Sequence, residues 1–247
     1  MGRLSDRVAV VTGGARGLGA AIAARLAADG AELCILDIAP ADSIIDEIAR
    51  AGGRASALHC DVTDEAQVAS ALAEASRAEV IDILVNNAGL LQGSTALVEQ
   101  ERADFERYLT VNAVGYFIVT KAAYPHLRRS GHARVINVAS RTFFMGNPGN
   151  GAYVASKGAV IGLTRVFARE LGADGITVNA VMPGMVPTGG TRPHHDDADF
   201  ERVMMHQAIK RQVMPEDLAH LVAFLASSEA AMITGQSIIC DGGGFLH

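Results

Sequence analysis

The sequence contains no tryptophan, and aromatic residues make up only 5% of its 247 positions. Proteins that hold single-stranded nucleic acid stack bases on aromatic side chains, so this scarcity argues against such a platform. Positive charge is also short: 21 Lys and Arg against 27 Asp and Glu give a formal net charge of −6. That balance offers no basic field to nucleic acid or an anionic membrane, although backbone dipoles can still bind a small anion locally. Only three cysteines occur, Cys34, Cys60 and Cys240. Their odd number and wide spacing fit neither a disulfide framework nor a zinc knuckle. Each lies in or at the end of an apolar run, which reads as a buried free thiol in a reducing cytoplasm. No run approaches the ~20 apolar residues of a membrane-spanning helix. The first apolar run, 8–11, is short and followed by glycines, so it does not read as a signal peptide. Met1-Gly2 invites comparison with a myristoylation signal, but Asp6 stands where that motif needs Ser or Thr. The expectation is a soluble, cytoplasmic protein with no nucleic-acid and no membrane partner.

What is present is a regular alternation. Short, near-continuously apolar runs lie at Val8–Thr12, Glu32–Asp37, 55–60, 83–85, Arg134–Val138, 177–181 and Ser237–Cys240. Runs without a polar face are expected of parallel strands covered on both sides. Between them lie helical patterns at 19–29, 41–51, 64–78, 101–129 and 153–171, and Asp64 followed by Gln67 resembles a capping box. A repeating strand–helix order selects a doubly wound parallel sheet of about seven strands with helices on both faces. The 49% hydrophobic content suits one α/β domain over residues 1–247. The stretch from Pro183 to Gln212 breaks the rhythm with Pro, Gly, His and Asp before a Met-bearing helical pattern. It reads as a substrate flap over 184–212 or as a surface excursion.

Glycines 13, 17 and 19 close the first strand and open the first helix. Such a turn admits unusual φ/ψ values and lets a pyrophosphate approach the backbone, where the helix N-terminus favours the anion. Alone, the triplet is also consistent with a plain glycine-rich turn; its place after the first strand favours the phosphate reading. Asp37 ends the second strand, where a carboxylate can accept hydrogen bonds from an adenosine ribose and repel a 2′-phosphate. Ile38 follows, so no adjacent cation invites that phosphate, while Arg16 keeps an opening for it. NAD(H) is the expected cofactor.

Tyr153 and Lys157 stand one helical turn apart, hence on one face. The preceding strand delivers Ser140 at its C-terminal end, which is where ligands bind in open α/β sheets. Thr12-Gly13-x-x-x-Gly17-x-Gly19, Asp61-Val62, Asn86-Asn87-Ala88-Gly89, Asn112, Ser140, Tyr153-x-x-x-Lys157, Pro183-Gly184, Ile233-Thr-Gly-Gln and Asp241-Gly-Gly follow in order. Across nearly the whole chain, this set resembles the short-chain dehydrogenase/reductase family.

The resemblance implies a single-domain Rossmann fold and an NAD-dependent alcohol dehydrogenase or carbonyl reductase. Tyr153 would exchange a proton with the substrate oxygen, and Ser140 would hydrogen-bond that oxygen. Lys157 and the oxidised nicotinamide would stabilise tyrosinate, a shift of ~2–3 pKa units being worth roughly 3–4 kcal/mol. Lys157 would also bind the nicotinamide ribose, and Asn112 would position a relay water. The implied cofactor contacts are Gly13, Arg16, Gly17, Leu18, Gly19, Asp37, Asp61, Val62, Asn87, Ala88, Gly89, Tyr153, Lys157, Pro183, Gly184, Val186 and Thr188. Asp61 and Val62 would meet adenine, and Asn87 to Gly89 would wall the adenine-side ribose. Val186 and Thr188 would lie by the carboxamide, Thr188 bonding that amide or a phosphate, and for each of these contacts from Asp61 onward a structural role is the alternative. A homotetramer is implied, assembled through the 101–129 and 153–171 helices and the C-terminal segment.

Other features are weaker. His194-His195-Asp196-Asp197 can suggest a metal site, but adjacent ligands in a Pro-flanked loop favour a solvated lid, and no metal is expected. Met204, Met205 and Met214 fit a substrate cover or simple packing. Phe143, Phe144 and Met145 can line an apolar substrate pocket or belong to the core. Arg141 reads as a surface ion pair, with an anionic or phenolic substrate group the alternative. The expected substrate is an aryl, heterocyclic (pyridoxal-like) or other small secondary alcohol and its carbonyl. A 3-oxoacyl-thioester reductase is the enzymatic alternative, and a dinucleotide-binding sensor or scaffold the non-enzymatic one.

Overall fold

The computed structural model describes residues 2–76, 79–91 and 95–246. Strands β1 (Val8–Thr12), β2 (Glu32–Asp37), β3 (Arg54–His59), β4 (Ile83–Asn86), β5 (Arg134–Val138), β6 (Thr177–Pro183) and β7 (Ser237–Cys240) form one sheet. Their order is β3-β2-β1-β4-β5-β6-β7, and every pairing is parallel. This is the doubly wound Rossmann arrangement, with its switch point between β1 and β4.

The period of two along each strand divides the core. Ala9, Val11, Leu33, Ile35, Val85 and Ile136 face one layer, with Ile22 and Leu26 of α1 (Gly17–Ala28), Ile44 and Ile48 of α2 (Asp42–Arg50) and Leu218 and Val222 of α9 (Pro215–Ala226). Val10, Leu36, Leu84, Val135 and Val178 face the other, against Val68 and Leu72 of α3 (Glu65–Ala75) and Val119 and Ala123 of α5 (Gly115–Leu127). The long helix α7 (Gly151–Leu171) packs on that second face as well. Cys34 and Cys60 are buried free thiols, and Cys240 is half-buried.

The expected strands all form, with β3, β4 and β6 shifted or extended by one or two residues. The helix start is earlier than expected at Gly17 because the glycine turn itself enters the first helical turn. At α3 the carboxylate of Asp64 accepts from the N–H groups of Ala66 and Gln67, while Gln67 answers at Asp61 N and at the Asp64 carboxylate rather than at the cap's own N–H. Arg77 and Ala78, the end of the helix expected over 64–78, lie outside the described residues. The single helix expected over 101–129 is three pieces: α4 (Arg102–Leu109), a π-helical turn (Thr110–Val114) and α5. A short α6 (Thr142–Met145) and α8 (Asp197–His206) complete the chain order. Among the described residues no helix is long and apolar enough to cross a membrane.

Candidate active site

A cavity of about 750 Å3 opens at the C-terminal ends of the strands. Its wall takes Gly13 after β1, Asp37 from the end of β2, Cys60 after β3, Asn87 after β4, Ser140 after β5 and Pro183 at the end of β6. Every residue singled out in the sequence as a cofactor contact lines it: Gly13, Arg16, Gly17, Leu18, Gly19, Asp37, Asp61, Val62, Asn87, Ala88, Gly89, Tyr153, Lys157, Pro183, Gly184, Val186 and Thr188. Ser140 lines it too, whereas Asn112 is buried behind it.

The glycine turn is shaped as a cradle. Gly17 has φ +59°, a left-handed conformation that glycine adopts without strain. At Gly19 a Cβ would lie 2.1 Å from the Gly13 carbonyl oxygen, so no side chain fits. The adjoining wall is pinned from β1: the Thr12 hydroxyl accepts the N–H groups of Asn87 (3.0 Å) and Ala88 (3.1 Å). The Asn87 amide donates back to the carbonyls of Thr12 and Gly13.

Asp37 is oriented by two backbone donors, Ala15 N from the glycine turn and Ala39 N, each at 2.9 Å. Asp61 uses Oδ1 for the N–H and hydroxyl of Thr63. Its Oδ2 has no hydrogen-bond partner among the described residues. Thr188 is tied into a turn with Thr191, and its side chain stands about 3.5 Å from the position a Gly17 Cβ would occupy. The segment after β6 therefore reaches back over the phosphate cradle.

At the other end of the cavity, Ser140 is buried where β5 ends, and its hydroxyl also accepts from Thr142. It lies near enough to the Tyr153 phenol to favour that group's ionised form. Lys157, one turn along α7, is buried, and its Nζ donates to the Val138 carbonyl at 2.8 Å. The ammonium lies 5.8 Å from the Tyr153 ring centre and 5.3 Å from that of Tyr116.

Burial pushes the Lys157 amine down to about 7. It also pushes the Tyr153 phenol above its ordinary value, with the Ser140 hydroxyl pulling in the opposite direction. The expected lowering of the phenol by Lys157 is thus not supplied by the protein groups alone. Desolvation acts on both side chains and disfavours the charged form of each.

Asn112 sits in the π-helical turn, a feature that often marks functional positions. Its amide clamps the loop after β4, accepting from Leu90 N (2.7 Å) and donating to Leu90 O (3.0 Å). The remaining N–H reaches Ser156 Oγ at 3.1 Å, and Ser156 in turn donates to the Tyr153 carbonyl. Most of the amide is spent on this scaffold, so a water held here would rest chiefly on the main chain.

The weaker expectations divide. Met145 lines the cavity, but Phe143 and Phe144 do not: Phe143 packs over Gly158 and Phe144 stacks on Phe245 at 5.3 Å. The Arg141 ion pair is not a surface pair, since Arg141 and its partner Asp241 are both buried. His195 pairs with Asp199 at 3.4 Å, and no metal-sized group of His, Cys, Asp or Glu occurs among the described residues. Met204 and Met205 of α8 and Met214 before α9 are not in the cavity wall, whereas Val203 of α8 is. Tyr116 and Ser156 support the site without having been singled out, because their partners are remote in sequence, and Thr12, named only as the start of the glycine motif, turns out to pin the loop after β4.

The geometry suits a dinucleotide: a side-chain-free cradle at a helix start, an oriented carboxylate at the tip of β2, and an open Asp61 oxygen further along. Comparison with known proteins agrees. A family model described as enoyl-(acyl carrier protein) reductase matches residues 13–244. The 3-oxoacyl-[acyl-carrier-protein] reductase of Synechocystis is 37% identical over 251 residues, covering 98% of each chain. Carveol dehydrogenase from Mycobacterium avium, solved with NAD, superposes with a TM-score of 0.92 at 30% identity over 99% of each chain. An Agrobacterium tumefaciens protein, assigned in its crystal structure as a 2-deoxy-D-gluconate 3-dehydrogenase and holding NADP, gives 0.89 at 36% identity over 98% of this chain and 97% of its own. Fold and site together define a dinucleotide-binding oxidoreductase. The chain belongs to the short-chain dehydrogenase/reductase family.

Proposed function

We propose that this protein is an NAD(H)-dependent alcohol dehydrogenase or carbonyl reductase, interconverting a small alcohol with its ketone or aldehyde. The observation that carries this is the Ser140–Tyr153 hydroxyl pair beside Lys157, at the end of the cavity opposite Asp37. A bound nicotinamide dinucleotide supplies or accepts the hydride.

Tyr153 is the proton donor to a carbonyl oxygen in reduction and the acceptor in oxidation. Burial keeps the phenol protonated, which is the form reduction needs. Ser140 hydrogen-bonds the same oxygen and holds it beside the phenol. Lys157 binds the nicotinamide ribose, and Asn112 fixes the backbone around a relay water. The glycine turn with Arg16 and Leu18 holds the pyrophosphate, Asp61 and Val62 the adenine, and Asn87, Ala88 and Gly89 the adjacent ribose. Pro183, Gly184, Val186 and Thr188 close over the nicotinamide end. Residues 1–247 act as one domain, with 184–212 as the substrate flap.

The preference for NAD over NADP rests on Asp37, whose carboxylate would oppose a 2′-phosphate, and on the exposed Ile38 beside it. The protein works in the cytoplasm as a homotetramer. A second reading, a 3-oxoacyl-thioester reductase, is supported by the similarity to the Synechocystis protein. A panel of aryl, heterocyclic and aliphatic carbonyls plus 3-oxoacyl thioesters, followed by oxidation of NADH and NADPH, tests both. Turnover with NADH on simple carbonyls supports the first reading, and NADPH-dependent turnover confined to thioesters selects the second. Dinucleotide binding without any turnover would instead favour a sensor or scaffold.

A further inference from the structure

We propose that Arg141 is a specificity-determining residue, and that it recognises a carboxylate carried by the substrate near the reacting carbonyl. The substrate class is then a small oxo acid and its hydroxy-acid product, an inference that rests on the dehydrogenase reading above.

Arg141 follows Ser140 directly and lines the same cavity. Its side chain is 7% exposed, yet its guanidinium is engaged on one edge only. Nη1 donates to Asp241 Oδ2 at 2.8 Å, and Asp241 is fixed in turn by the N–H groups of Gly243 and Gly244 on Oδ1. The C-terminal turn is built round this contact, because a Cβ at Gly244 would lie 2.2 Å from Nη1. Nε and Nη2 have no hydrogen-bond partner among the described residues. Neither is sealed away from solvent: the fully enclosed unpaired polar atoms lie at Arg25, Asn86, Gln100 and Ser237. The Nε–Nη2 edge of a buried, positioned guanidinium therefore opens onto space, and the space its residue borders is the cavity.

Such an edge presents two parallel N–H donors at the spacing of a carboxylate's oxygens. A carboxylate there would replace cavity water on both donors, and such charge-assisted, bidentate hydrogen bonds are about twice as strong as neutral ones. The surrounding wall carries both signs, Arg16 and Arg202 with Asp37, Asp61 and Asp199. His194, His195 and Arg202 border the cavity from the segment after β6, and Asp199 there is already engaged by His195 and Arg202.

The test measures kcat/KM with NADH for short 2-, 3- and 4-oxo acids against their methyl esters. Wild type is expected to favour an acid over its ester by roughly 10- to 100-fold, the range of a charge-assisted hydrogen bond. Arg141→Gln brings that ratio near one. Asp241→Asn, which leaves the guanidinium but removes its internal counter-charge, moves the ratio further toward the acid. Opposite shifts in the two variants support the proposal, and if Arg141→Gln does not fold, the Asp241→Asn shift decides alone. Equal turnover of acid and ester by wild type overturns it. A shared direction in both variants also overturns it, since a purely structural latch predicts that result. Absence of NADH oxidation with any carbonyl, charged or neutral, would instead remove the dehydrogenase reading beneath it.

Discussion

Lys157 is enclosed by α7, the end of β5 and the ring of Tyr116, and its amine donates to the Val138 carbonyl and, at 3.5 Å, to the Tyr116 hydroxyl, with two aromatic rings beside it. Burial lowers it from 10.5 to about 7, and this makes it a liability for folding. Below pH 7 the amine is charged in both states, and its full desolvation cost opposes folding. Between about pH 7 and 10.5 the unfolded chain holds a proton that the folded chain has released, so this residue's contribution makes stability rise with pH. Lys157→Met, which keeps the length without the charge, should raise Tm at pH 7 by a few degrees, flatten that rise and abolish turnover. Thermal melts of both proteins from pH 7 to 9 check it; a lower Tm for the variant would show that the amine stabilises the fold. Tyr116 still donates to the Val138 carbonyl in that variant, which limits the loss. At the opposite end, Asp37→Ala should narrow the ratio of kcat/KM with NADH to that with NADPH by about tenfold or more, as expected for removal of a charge facing a phosphate. An unchanged ratio would assign the discrimination to another group. Ser140, Tyr153, Lys157 and Asp37 were legible because their chemistry follows from residue type and local spacing. Tyr116 and Ser156 were not, since each acts through partners that only folding brings near. Arg141 was misplaced at the surface because its partner, Asp241, comes from the far end of the chain.

At the scale of elements, the connection between β1 and β4 concentrates much of the site's rigidity in one hydroxyl. Thr12 accepts two backbone N–H groups from the loop after β4 and donates to the Val85 carbonyl at 3.4 Å. Thr12→Val keeps the shape and leaves those donors unpaired, at a cost of roughly 2–4 kcal/mol. A lower urea midpoint together with weaker NADH binding is expected. Weaker stability with unaltered binding would show that the loop's position does not depend on this hydroxyl. The strands were readable because runs buried on both faces are nearly continuous in apolar residues. The break in the 101–129 helix was not readable, since Thr110–Val114 carries no proline or glycine and the interruption is a change of hydrogen-bond register. Likewise Phe143 and Phe144 share the apolar character of a pocket wall, but the glycine at 158 gives Phe143 a groove on α7 instead.

For the whole molecule, strand order follows from right-handed crossovers applied to an alternating chain, which is why the sheet was predictable before its register. The cavity then needs no separate explanation: loops leaving the C-terminal edge of a doubly wound sheet diverge at the switch point and leave a crevice there. The outer faces carry information too. Val114 and Phe117 at 45% and 41% exposure, and Val166 at 53%, sit on the helical stretches expected to join subunits. Sedimentation should therefore show a tetramer, and a charge at Phe117, as in Phe117→Glu, should shift it toward smaller species; a wild-type monomer would contradict this assembly.

The central claim is that hydride transfer at this site depends on a proton held by Tyr153. Incubation with NADH deuterated at the transferring C4 position and a reactive carbonyl measures it directly, by mass spectrometry of the alcohol. Wild type should place the deuterium on the carbinol carbon, and Tyr153→Phe should do so at least ~100-fold more slowly while binding NADH as before. Equal deuterium incorporation by the two proteins would contradict the account.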